Sequence, residues 1–348
     1  MIPIKGRRIA LIGGAGFIGH NLALALKELV AVVSILDVLQ VNNIMAFSNP
    51  MTDIAIRDFY LDVLNQRMNL LRRAHIPVFV QDARDYLALS KVLTSIDPQV
   101  VVQLAAVSHA GKSNKDPYST FDHSFRTLEN ALDWSRGGAE HFIYFSSSMV
   151  YGNFLSGEVG EDTPCEPIGI YGALKFGGEK LVIAYNQAFD LDYTIIRPSA
   201  LYGARCVSRR VGQVFIENAL QGTEITIQGD GSDKLDFTYI QDMVDGIIAV
   251  ISNEKSRNQV FNMTYGAARS LAQMAEIVQE HFPDVNIKYV PKDKLMPDRG
   301  TLCMDKARDL LGYEPSWPLE RGFPEYIEWY KDIVEDSPMG GQMPVTYG

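Results

Sequence analysis

The chain has 348 residues with 42 Asp and Glu against 32 Lys and Arg, giving a formal net charge of −10, and 47% of its residues are hydrophobic. These are globular proportions, and a folded chain of this length buries roughly three quarters of its unfolded surface, more than one core usually serves. The acidic balance argues against nucleic-acid or membrane-surface partners, which are held by Lys and Arg on phosphates, and no apolar run reaches the ~18 residues of a membrane span.

Three widely spaced cysteines, Cys165, Cys206 and Cys303, suit neither a disulfide framework nor a CxxC metal knuckle, and the six histidines form no HExxH. The expectation is a cytoplasmic protein with no metal site. The start of the chain is too glycine-rich to read as a signal peptide.

In chain order, β-branched runs alternate with helical patterns: 7–13 (RRIALIG), 19–29, 30–37 (VAVVSILD), a polar helical stretch to about Arg73, 77–82 (PVFVQD), 85–96 and 98–106 (PQVVVQLAA). Helical and strand segments continue at 125–135, 141–148 (HFIYFSSS), 171–189 and 192–203. This alternation predicts an α/β fold with a doubly wound parallel sheet, whose strands read as continuous apolar runs because helices cover both faces. After about Ser199 the pattern loosens into a smaller mixed α/β lobe, and 337–348, rich in Gly, Pro and Met, reads as a loose tail. The predicted division is 1–198 with a return around 236–262, then 199–336.

Gly13-Gly14-Ala15-Gly16-Phe17-Ile18-Gly19 sits between an apolar strand and a helix and satisfies both GxxGxxG and GxGxxG. Such a turn lets backbone approach a pyrophosphate, which meets the free N–H groups of the helix start. A plain βα turn would use the same glycines. Asp37, however, follows Gly19 by 18 residues at the next strand end, where a carboxylate accepts ribose hydroxyls and repels a 2′-phosphate, favouring NAD over NADP. Asp82, followed by Ala83, either accepts an adenine amino group or caps the next helix. Leu104, Ala105 and Ala106 close the fourth strand with residues small enough to press against a cofactor or to pack a core.

Tyr171 and Lys175 stand four apart on one predicted helix face. Free tyrosine titrates near ~10, so a base near neutral pH needs about 3 units of depression from positive charge, which Lys175 and an oxidised nicotinamide would supply. Upstream, Ser146, Ser147 and Ser148 end a strand at the sheet edge where such folds bind ligands, and Tyr171 follows Ser147 by 24 residues.

With GGAGFIG, LAAVS, FSSSMVYG, IYGALK, IRPSALYG, GDGSDKLDFTYIQD, LLGYEP and IEWY in this order, the chain resembles the extended short-chain dehydrogenase/reductase family, in its NAD-dependent sugar-nucleotide epimerase/dehydratase branch. The resemblance runs from about residue 9 to 330. It implies a Rossmann domain with a small substrate lobe, a retained NAD, and Ser147, Tyr171 and Lys175 as the catalytic set. It places Gly13, Gly16, Phe17, Ile18, Gly19, Asp37, Asp82, Ala83, Leu104–Ala106, Pro198 and Ser199 with Tyr171 and Lys175 at the cofactor. Ser108, Ser148, Arg209, Arg210 and Arg299 are implied at a UDP-, GDP- or dTDP-linked sugar. It also implies a homodimer through helices around 125–135 and 176–189.

Departures are informative. Ser148 and Met149 stand where 4,6-dehydratases of the family have Asp and Glu, which argues against dehydration. Ala200 and Leu235 replace an asparagine and an arginine that usually touch the nucleotide diphosphate. The expectation is an epimerase inverting a hydroxyl carbon, C4, of a nucleotide-linked sugar, with an NAD(H)-exchanging dehydrogenase or reductase as the alternative.

Overall fold

The computed structural model describes residues 1–48, 57–107, 110–292 and 296–335. Seven strands, β1 (Arg8–Ile12), β2 (Val32–Asp37), β3 (Val78–Val80), β4 (Val100–Gln103), β5 (His141–Phe145), β6 (Tyr193–Arg197) and β7 (Gln259–Asn262), form one parallel sheet in the order β7-β6-β5-β4-β1-β2-β3. The chain runs outward from β1 to β3, then returns to the other side of β1 through β4. That reversal opens a crevice at the carboxyl ends of β1 and β4.

Strand alternation sorts the core into two layers. Ile9 and Leu11 of β1 pack with α1 (Phe17–Glu28) and with Met243, Val244 and Ile247 on one face. Ala10 and Ile12 face Leu89 of α3 (Tyr86–Ile96), Leu128 and Leu132 of α4 (Thr127–Gly138) and Val182 of α5 (Gly169–Phe189) on the other. Burial on both sides explains why these strands read as unbroken apolar runs.

A separate core joins α2 (Arg57–Arg73), α6 (Val211–Leu220), α8 (Leu271–His281) and α9 (Leu319–Glu335), while α7 (Ile240–Ile251), between α6 and α8 in the chain, packs in the sheet layer. The stretch read from sequence as a polar helical crossover therefore supplies Phe59, Tyr60, Val63 and Leu64 to the lobe core. Phe59 stacks on Tyr330 with ring centroids 5.8 Å apart. Among the described residues, no helix is long and apolar enough to cross a membrane, and no cluster of three His, Cys, Asp or Glu forms a metal set. The sequence-predicted tail, 337–348, lies outside the described residues.

Candidate active site

The glycine turn is fixed by packing. Gly13 has φ +80°, and a Cβ there would lie 2.5 Å from the Ala105 backbone nitrogen. A Cβ on Gly16 would meet only the Gly13 carbonyl oxygen, at 3.2 Å. Gly16 is the N-cap of α1 and makes no side-chain cap bond, so the first N–H groups of α1 face the crevice uncapped by any side chain.

The crevice is lined by Gly13, Gly16, Phe17, Ile18, Gly19, Asp37, Asp82, Ala83 and Leu104–Ala106 together. The Asp37 carboxylate accepts from Ala15 N–H at 3.0 Å and Leu39 N–H at 2.7 Å, leaving lone pairs for ribose hydroxyls; burial raises its pKa. An uncapped helix start, a turn too tight for side chains and an acceptor at the β2 end fit a dinucleotide. Asp82 lines the crevice but is not a helix cap. Asp85 caps α3 by accepting from Ala88 N–H, whereas Asp82 accepts from Arg84 N–H at 2.9 Å and from its guanidinium.

A second cleft holds Ser147, Ser148, Tyr171, Pro198, Ser199, Arg210 and Arg299, and it shares Leu201 and Arg210 with the first. Pro198 and Ser199, expected at the cofactor, line this second cleft and not the first. Ser147 N-caps a short 3-10 turn, accepting from Met149 N–H at 3.2 Å.

Burial pushes the Tyr171 phenol above its ordinary pKa, while Arg210, the Ser147 hydroxyl and Arg299 draw it back. Lys175, expected with an oxidised nicotinamide to supply the depressing charge, is not among the groups that draw the phenol down. Its ammonium donates to the Phe145 carbonyl at 2.5 Å and lies near Glu179, with burial lowering its pKa to about 8. The positive charges that draw the phenol down are those of Arg210 and Arg299.

The Arg299 guanidinium donates to the Ser148 hydroxyl and lies over the Phe154 ring, 4.9 Å from its centroid. Arg209, expected at the substrate, lies elsewhere. It lies outside the lining of both clefts and pairs at 3.8 Å with the buried Glu217 carboxylate, which draws it away from the site. Ser108 falls outside the described residues. Ala200 and Leu235 both line the second cleft, so two family polar positions present apolar side chains there.

Sequence reading missed the support beneath the site. Glu179 accepts from the Ser146 hydroxyl at 2.5 Å and from Arg197 Nε and Nη2 at 2.9 and 2.7 Å. Arg197 also donates to the Tyr151 hydroxyl at 2.8 Å, and Tyr151 donates to Asn262 at 2.7 Å. The available signal was spacing: Tyr171, Lys175 and Glu179 recur every four residues along one face of α5.

The NAD dependent epimerase/dehydratase family model matches residues 9–264. Over 340 residues the chain is 28% identical to an uncharacterized UDP-glucose epimerase of Bacillus subtilis (strain 168), covering 94% of this chain and 99% of that one. It is 25% identical over 338 residues to UDP-glucuronic acid decarboxylase 2 of Arabidopsis thaliana, covering 95% and 69%. Among solved structures, UDP-glucose 4-epimerase of Thermotoga maritima with UDP-glucose superposes with a TM-score of 0.82 at 25% identity, over 94% of this chain and 99% of that one. UDP-glucuronic acid 4-epimerase of Bacillus cereus, in complex with UDP-glucuronic acid and NAD, gives 0.82 at 25% identity, over 93% and 99%.

Proposed function

The chain belongs to the NAD dependent epimerase/dehydratase family, with NAD as its cofactor, and from that premise we propose that it inverts C4 of a nucleotide-linked sugar through a 4-keto intermediate. The observation that carries this reading is the common wall of the two clefts, Leu201 and Arg210, beside Ser147 and Tyr171. A hydride carrier on one side and a sugar hydroxyl on the other meet there. Similarity to UDP-sugar epimerases along nearly the whole chain supports the substrate class.

NAD bound in the first cleft supplies reversible hydride acceptance at the sugar carbon. Tyr171 takes the hydroxyl proton as that carbon is oxidised, and Ser147 holds the oxygen; because burial leaves the phenol above its ordinary pKa, its ionisation would draw on the positive charge of an oxidised nicotinamide as well as on Arg210 and Arg299. Arg210 and Arg299 stabilise the phenolate and the charge on the oxygen. After the ketone turns, Tyr171 returns the proton to its oxygen, and the hydride held by a bound NAD would go back to the opposite face of the carbon, so that no net redox change results. Among the described residues lining the second cleft none is a carboxylate, which favours this reading over elimination of water.

Ala200 and Leu235 in the second cleft favour a second reading, a dehydrogenase or reductase that does not grip a diphosphate and exchanges NAD(H) each turnover. The cofactor content of purified, dialysed protein separates the two. About one NAD(H) per chain, followed by C4 inversion in a panel of UDP-, GDP- and dTDP-sugars, supports the epimerase; an empty protein that binds NAD(H) reversibly supports the dehydrogenase. Tyr171→Phe tests both, with activity expected to fall at least about a hundredfold while NAD stays bound. Full activity in that variant contradicts both. The dimer through α4 and α5 is part of the proposal and is checked by light scattering.

A further inference from the structure

Arg67 is the largest fully buried side chain described, 1% exposed, and it comes from α2, the helix of the long second crossover. Its Nε donates to the Arg205 carbonyl at 2.9 Å, and Nη2 donates to the same oxygen. Nη1 is buried with no hydrogen-bond partner, and Arg67 lines the first cleft together with Gly13, Gly16, Phe17 and Asp37.

The nearest carboxylate is Asp37, which lines the same cleft and attracts the Arg67 guanidinium across it without forming an ion pair or a hydrogen bond with it. Among the described residues neither Arg67 nor Arg205 has a carboxylate within ion-pair distance. Arg205 donates from Nε to His20 Nε2 at 3.1 Å, and the other ring nitrogen of His20 lies 2.9 Å from the Gly16 carbonyl, so His20 is a neutral imidazole held against the glycine turn. One buried guanidinium, Arg67, thus lines the cleft beside an uncapped helix start, while the half-buried Arg205 bonds to His20 and Asn21 of α1. An unpartnered buried N–H of a cation is costly unless an anion meets it.

We propose that Arg67 is a cofactor-binding residue whose Nη1 donates to the pyrophosphate of the dinucleotide, while its other two nitrogens pin the Arg205 loop. The long crossover gains a purpose in this arrangement. It carries a guanidinium under the cofactor cleft and fastens the loop that leads to Arg210, so that cofactor and substrate clefts are held by one side chain. The inference rests on the family's NAD dependence and is independent of which sugar is turned over.

The test reads cofactor binding, not turnover. In the full-length chain carrying Arg67→Met, calorimetric titration should show affinity for NAD and for ADP reduced about tenfold to a hundredfold, the usual effect of losing a charged hydrogen bond. Affinity for adenosine, which has no phosphate, should stay within about twofold. The holoenzyme variant should also lose NAD on dialysis at salt concentrations the unaltered protein withstands. Unchanged NAD and ADP affinities overturn the proposal, and so does an adenosine affinity that falls as far as that for ADP. If Arg67→Met does not fold, Arg67→Lys decides: it keeps the cation but cannot hold the Arg205 carbonyl and a phosphate with three nitrogens, so ADP must bind at least about threefold more weakly with adenosine unchanged, and equal ADP affinity overturns the proposal.

Discussion

The Glu179 carboxylate receives two hydrogen bonds from the Arg197 guanidinium, at 2.9 and 2.7 Å, beneath Tyr171 and Lys175, with side-chain exposures of 2% and 6%. Removing one partner of such a pair leaves the other charge buried alone. Glu179→Ala is expected to destabilise the fold by about 3–5 kcal/mol in urea denaturation, and a cost below about 1 kcal/mol would show that the network is dispensable.

Lys175 carries a stability signature of its own. Burial lowers its folded pKa to about 8 from 10.5, so between those values the unfolded chain binds a proton that the folded one has released. Stability is therefore gained as pH rises from 8 to 10.5, and lost as pH falls back through 8, by up to about 3 kcal/mol. Lys175→Met should erase that slope relative to the unaltered protein, as read from urea midpoints across the window.

Burial raises the pKa of the Tyr171 phenol, and Arg210, Ser147 and Arg299 offset part of that rise. Arg299→Met removes one of these influences, so the ascending limb of kcat against pH should move to higher pH by roughly half to one unit. An unshifted limb with a raised KM would instead make Arg299 a pure binding group.

The glycine turn predicts two different failures. Gly13→Ala drives a Cβ to 2.5 Å from the Ala105 backbone at φ +80°, so it should lower the melting temperature and abolish NAD retention together. Gly16→Ala meets only one atom, at 3.2 Å, in a conformation any residue adopts. Its stability should change by less than about 1 kcal/mol while NAD binds more weakly, because the new methyl group enters the cleft. Comparable melting losses in both variants would contradict this division.

Local pattern encodes those parts of the fold that depend on near neighbours along the chain. Apolar runs long enough for a doubly covered strand, glycines at the first βα turn and an acid at the end of β2 specify a parallel sheet with a dinucleotide crevice, because each depends on neighbours a few residues away. The serine cluster and the four-residue spacing of Tyr171 and Lys175 were legible for the same reason. Which cation serves which group is set by packing between distant segments. Lys175 turns to the Phe145 carbonyl, Arg209 to Glu217 and Arg67 to the cofactor cleft, while Arg210 and Arg299 reach Tyr171 from loops that sequence distance separates by 39 and 128 residues. A long cationic side chain is placed by the buried carbonyls and carboxylates it can satisfy, and those partners are assembled only when the sheet and the lobe close on each other.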